Sequence, residues 1–293
     1  MSSSTTLTHA TVLSEECNLS YTYIGTGPLI IFIPGGNGHS LQYYPLMTHL
    51  SSTYTSVTFS RRQMSLSTLL PPTAPQVLNP YQQARDVLAI IHAMGFTKSI
   101  IFGSSLGGII AFQFATDFPS AVDHLIVHEA PTFHLLPDAR ELADYFFQIY
   151  NTYKSRGLQA VSEIWGKHFS IMRDENREWD PLSSPDPRNA GNFFENEFLV
   201  GTFWRVDFEN VKGSGVSVGV MRGRRSGDEF FARATVEQKR VLGDGCVLEM
   251  VPGHHQGFES ESWAFKEAFE GMLGRLEGKR RGNAGNERED GAE

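Results

Sequence analysis

The chain has 293 residues, 40% hydrophobic and 12% aromatic, enough for one large α/β domain with an insertion or for two small domains. A formal net charge of −8 argues against a nucleic-acid-binding face, and two cysteines, Cys17 and Cys246, make neither a disulfide framework nor a spaced set of metal ligands. The first residues lack the basic and apolar blocks of a signal peptide and no apolar run reaches the length of a membrane span, so a soluble cytoplasmic protein is expected.

Taken in order, Leu19–Ile24 reads as a strand, Gly25–Pro28 as a turn and Leu29–Ile33 as a buried strand. The loop that follows, Pro34-Gly35-Gly36-Asn37-Gly38, is too rich in glycine for ordinary packing. Leu41–Leu50 reads as a helix and Ser56–Phe59 as the next strand, with Arg61-Arg62 directly after it. Asn79 and Pro80 supply an N-cap and a first-turn proline. Ala84, Val87, Leu88 and Ile91 then form one apolar helical stripe, and Gly95 ends it.

The run Ser99–Phe102 predicts a central strand, and Gly103-Ser104-Ser105-Leu106-Gly107 after it fits G-x-S-x-G, the nucleophile elbow between a strand and a helix. His124–Glu129 reads as another strand, closed by Ala130-Pro131. Beyond Pro131 the alternation breaks into an aromatic helical segment. Leu142, Phe146, Ile149 and Tyr153 share one face there, Leu158, Val161 and Trp165 begin another, and Arg173–Arg188 reads as a loop. Strands resume at Val216–Met221 and Cys246–Val251. A last helix carries Phe265, Phe269, Met272 and Leu276, and the polar residues from Glu277 onward predict a disordered tail.

Strands alternating with helices imply a mostly parallel sheet covered on both faces, with reactive groups at the carboxyl ends of its strands. Ser105 is the candidate nucleophile. A serine hydroxyl needs an adjacent base, and Pro252-Gly253-His254-His255-Gln256-Gly257 follows a strand end, so one of its two histidines is the candidate. The oxyanion formed on attack needs two fixed N–H donors. Leu106 supplies one by elbow geometry, and Gly36 or Asn37 the other. A carboxylate must orient the histidine. Glu129 and Asp228 both keep the order serine, acid, histidine, and Ser226 stands where an acid would be sought after the resumed strand. A glutamate buried at a strand end would need a partner. His124 and His128 share a strand face, but without a carboxylate at helical spacing they make a weak metal motif.

In this order the glycine loop, the elbow, His128-Glu129-Ala130-Pro131 and the His-His loop resemble the α/β-hydrolase superfamily from Leu19 to Leu276. The resemblance implies an α/β fold with a mostly parallel eight-stranded sheet, a helical lid inserted after the sixth strand, and a site without cofactor or metal. The expected division is a discontinuous core of residues 1–131 and 211–276, a lid of 132–210 and a tail of 277–293. A serine nucleophile separates this chain from dehalogenases and epoxide hydrolases with aspartate there. In some haloalkane dehalogenases the acid follows the sixth strand, which favours Glu129 over Asp228. The position of the histidine in related chains favours His255 over His254. The expectation is a serine hydrolase acting on an ester, lactone or related acyl bond of an apolar small molecule. The alternatives are a C–C bond hydrolase or acyltransferase with the same residues, or a non-catalytic receptor.

Overall fold

The computed structural model describes residues 6–36, 38–171, 186 and 188–289; the side chains of 165–171 and 282–289 fall outside that description. The strands are β1 (Thr8–Ser14), β2 (Cys17–Ile24), β3 (Leu29–Ile33), β4 (Thr55–Phe59), β5 (Thr68–Leu69), β6 (Ser99–Ser104), β7 (Val122–His128), β8 (Ser217–Gly223) and β9 (Val247–Val251). Eight of them follow the order β1-β2-β4-β3-β6-β7-β8-β9, and the short β5 pairs off this path with β2. The β1–β2 and β2–β4 pairs are antiparallel, while every pairing from β4 across to β9 is parallel. The short β5 is the one strand beyond the expected eight.

The helices are α1 (Tyr44–Leu50), α2 (Pro80–Ala93), α3 (Leu106–Asp117), α4 (Ala139–Ile171), α5 (Arg188–Asn192), α6 (Phe198–Thr202), α7 (Phe208–Gly213), α8 (Phe230–Leu242), α9 (Gly257–Ser260) and α10 (Ser262–Glu289). Successive strand residues point to opposite faces, and β3 shows what that does to the core. Leu29, Ile31 and Ile33 join an apolar layer with α2 and α3, while Ile30 and Phe32 join a second layer with Phe265, Phe269 and Met272 of α10. Both faces of the central strands are therefore dry, which is why they read as continuous apolar runs. Helix α2 begins as its sequence dictates: the Asn79 side chain accepts a hydrogen bond from the Gln82 N–H at 2.9 Å, and Pro80 occupies the first turn.

Between β7 and β8 the chain makes a helical insertion with an apolar cluster of its own, built on Phe133, Leu136, Phe146, Ile149, Val161, Phe194 and Phe198. Helix α4 breaks at Gly157, whose φ of 78° and ψ of −176° are not helical. The break separates the Leu142–Tyr153 stripe from the one that starts at Leu158. The side chain of Trp165 and most of the expected Arg173–Arg188 loop lie outside the described residues. A π-helical turn, Phe193–Glu197, joins α5 to α6.

The last helix of the described residues runs into the segment expected to be a tail. Helix α10 continues past Leu276 to Glu289, and Glu277 is held by the buried His124, whose Nε2 lies 2.8 Å from its carboxylate. Composition reported the lack of apolar residues there but not this anchor. Among the described residues no helix is long and apolar enough to cross a membrane.

Candidate active site

The parallel strands deliver three loops to one end of the sheet. At the end of β6, Ser105 adopts φ 54° and ψ −128° immediately before α3. A non-glycine residue in that region carries strain on the order of 1–3 kcal/mol, retained only where its surroundings fix it. Here the Ser105 N–H donates to the His128 carbonyl at 2.9 Å, and the Ser105 carbonyl accepts from the Gly108 N–H at 2.8 Å. The flanking glycines are sterically required. A Cβ on Gly103 would lie 2.2 Å from the Gly107 carbonyl oxygen, and one on Gly107 would lie 2.2 Å from that of Ile33. Ser104 faces another way, its hydroxyl 2.9 Å from His128 Nδ1.

Glu129, directly after β7, also has a positive φ of 47° and is fully buried. Its Oε1 accepts from the Gly223 N–H at 2.9 Å, and its Oε2 accepts from His255 Nδ1 at 2.7 Å. Burial alone would push this carboxyl up. The His255 hydrogen bond, with the nearby Ser226 hydroxyl, outweighs it and holds the group below the usual carboxylate range. An ionised carboxylate can only accept, so Nδ1 is the donor to Glu129 and Nε2 is left as the nitrogen open to a further proton. Phe231 packs against that imidazole with ring centroids 4.1 Å apart.

Burial pushes His128 down to about 4, so it is neutral near pH 7 and sets no second positive charge beside His255, whose ring centroid is 6.0 Å away.

Ser105, Leu106, Gly36 and His255 line one cavity of about 100 Å³. Its walls are Phe146, Phe193, Phe198, Phe230, Phe231, Phe258 and Pro131, with Gln42, Thr202 and Gln256 as polar side chains. Leu106 opens α3, where an N–H has no intrahelical acceptor. The competing candidates fall elsewhere. Asp228 is exposed on the β8–α8 loop, and no hydrogen bond or ion pair joins it to His255. His254 is half-buried and does not line the cavity. Asn37 lies outside the described residues. His124 and His128, noted as a weak metal motif, turn to Glu277 and Ser104 respectively.

Three contributors had no assigned role in the sequence. The Gly223 N–H is 94 residues from the carboxylate it binds, Phe231 has nothing local to mark it, and Ser226 stood out only as a missing acid.

Comparison with known proteins agrees with the fold. A family model of the alpha/beta hydrolase fold matches residues 28–199. Uncharacterized hydrolase YraK of Bacillus subtilis (strain 168) is 23% identical over 276 residues, covering 92% of this chain and 97% of that one. Zearalenone hydrolase of Cladophialophora bantiana is 27% identical over 125 residues, 42% of this chain and 47% of the relative. The solved structure of the enol-lactonase from Burkholderia xenovorans LB400 superposes with a TM-score of 0.65 at 14% identity, covering 91% of this chain and 99% of that one.

Proposed function

Because this chain belongs to the alpha/beta hydrolase fold family, we propose that it is a serine hydrolase that cleaves an ester or lactone of an apolar small molecule through an acyl-enzyme. The observation that carries the reading is the pairing of a strained Ser105 with a Glu129–His255 hydrogen bond at the rim of one phenylalanine-lined cavity. Ser105 Oγ attacks the carbonyl carbon while His255 Nε2 takes its proton. Glu129 fixes the imidazole tautomer and stabilises the imidazolium that forms. The N–H groups of Gly36 and Leu106 receive the negative oxygen. Collapse of the tetrahedral species breaks the C–O bond, and His255 returns the proton to the leaving alkoxide. Water, deprotonated in turn by His255, then attacks the acyl group and releases the acid and free Ser105.

The helical insertion acts as a lid over this chemistry. Phe146, Phe193 and Phe198 come from it, and they favour an apolar acyl or alcohol portion. In a lactone, both reaction products remain one molecule, and the same residues serve.

The test is a panel of aryl and alkyl esters and lactones, with zearalenone included because of the named relative. Wild type should turn over at least one of them to stoichiometric product, and Ser105→Ala should lose about 10³-fold or more in kcat. Equal turnover by Ser105→Ala would overturn the assignment, and binding without turnover across the panel would favour a receptor.

A further inference from the structure

Arg61 is fully buried just beyond β4, and among the described residues it is the largest side chain so enclosed. Its five guanidinium N–H groups all find acceptors. Nη1 donates to Gln83 Oε1 and to Glu197 Oε1, Nη2 donates to Glu197 Oε2 at 2.7 Å and to the Gly35 carbonyl at 2.8 Å, and Nε donates to the same carbonyl at 3.2 Å. Gln83 Nε2 closes the set with a 2.8 Å bond to Glu197 Oε1. Glu197 and Gln83 are 1% and 3% exposed, so the whole cluster is out of water. A buried ion pair is weak evidence for stability, because well-packed apolar residues of similar volume often do as well. The geometry of this one gives it another use.

The Gly35 carbonyl and the Gly36 N–H belong to one planar trans peptide, so fixing the first fixes the direction of the second. Two donors from one guanidinium, together with the Gly38 N–H at 2.9 Å, hold that carbonyl. A cation at the carbonyl also polarises the peptide and strengthens its N–H as a donor. The other end of the cluster belongs to the helical insertion. Glu197 closes the π-helical turn that Phe193 opens, and a Cβ on Gly36 would lie 3.0 Å from the Phe193 ring. One turn of the insertion thus contacts the glycine loop directly through Phe193 and indirectly through Glu197 and Arg61. Such π-turns are frequent at functional sites.

We propose that Arg61, Glu197 and Gln83 form a latch by which the docked insertion orients and polarises the Gly36 N–H. The inference rests on the reading of Gly36 as an oxyanion donor. These are positioning residues: they act on the reaction only through the Gly35–Gly36 peptide. An undocked insertion removes the Glu197 counter-charge and leaves the donor unaligned, so catalysis is coupled to closure over the substrate.

The experiment compares wild type, Glu197→Gln and the double variant Arg61→Met/Glu197→Met, which removes both charges and leaves no buried orphan. Ser105→Ala is run alongside. Rates with 4-nitrophenyl butyrate are expressed per site titrated by a fluorophosphonate, so misfolded protein does not count. The latch predicts that kcat falls roughly 10- to 100-fold in both variants, below the 10²–10³ typical of deleting an oxyanion donor. KM should stay within about threefold, and affinity for an aryl trifluoromethyl ketone, whose adduct carries the oxyanion, should fall in parallel with kcat/KM. Arg61→Lys should not rescue, because one ammonium cannot reproduce the fork. A purely structural role would lower the titre or the melting temperature and leave kcat per titrated site and ketone affinity unchanged; that result overturns the latch. Activity retained in Ser105→Ala would instead overturn the reading of the site on which it rests.

Discussion

Glu129 sits directly after β7 with its carboxylate out of water. A carboxylate placed directly after a strand, fully buried and at φ 47°, is costly in both desolvation and backbone strain. Two hydrogen bonds offset the first cost, one from the Gly223 N–H and one from His255 Nδ1, and the β7–β8 pairing beside it holds the backbone. Neither partner is near Glu129 in sequence. Asp228 offers an aspartate close to the strand end, but it is exposed and makes no hydrogen bond to the imidazole. Glu129→Gln should therefore lower kcat by about 10³–10⁴-fold, because the neutral amide neither selects the tautomer nor stabilises the imidazolium. Asp228→Asn should stay within about threefold of wild type. Steady-state rates on the best ester of the panel, with circular dichroism to confirm folding, decide between them. Activity preserved in Glu129→Gln and lost in Asp228→Asn would move the acid to the loop after β8.

At the scale of elements, the insertion is where chemistry and packing overlap. Its aromatic residues stood out in the sequence as a break in the strand–helix alternation, but periodicity cannot tell a side chain that packs from one that lines a pocket. Phe146 and Phe198 do both: each is about as buried as a core residue, and each also faces the cavity. Phe230, at the start of α8, is only half-buried and lines the same space. Truncating Phe146 should therefore cost about 3–5 kcal/mol of stability. Phe230→Ala should be milder in stability and should shift preference toward bulkier acyl or alcohol groups by about 10-fold in kcat/KM, about the worth of one methylene in an apolar pocket. Thermal melts and relative kcat/KM values across a homologous ester series separate the two effects. Unchanged preference in Phe230→Ala would mean that the ring serves packing alone.

For the molecule as a whole, the fold was legible because both faces of its central strands are buried. Leu29–Ile33 and Ser99–Phe102 are continuous apolar runs, and they emerge as β3 and β6 at the centre of the sheet. The elbow was legible for a local reason: Gly103, Ser105 and Gly107 are a contiguous solution to one steric problem. What could not be read were contacts between distant segments. Arg61 was visible only as one of two arginines after a strand, and its partner Glu197 lies 136 residues away in the insertion. The anchor of α10 at His124 was hidden for the same reason, at a separation of 153 residues. These long-range polar contacts tie the insertion and the final helix to a core whose candidate site was already implied by short motifs. In the proposed mechanism the activated hydroxyl belongs to Ser105, and that assignment has a chemical readout. It is tested most directly by treating the protein with a fluorophosphonate and mapping the adduct by peptide mass spectrometry. One adduct per chain is expected, on Ser105, with none on Ser104 and none in Ser105→Ala; an adduct on another residue, or labelling that persists in Ser105→Ala, would place the nucleophile elsewhere.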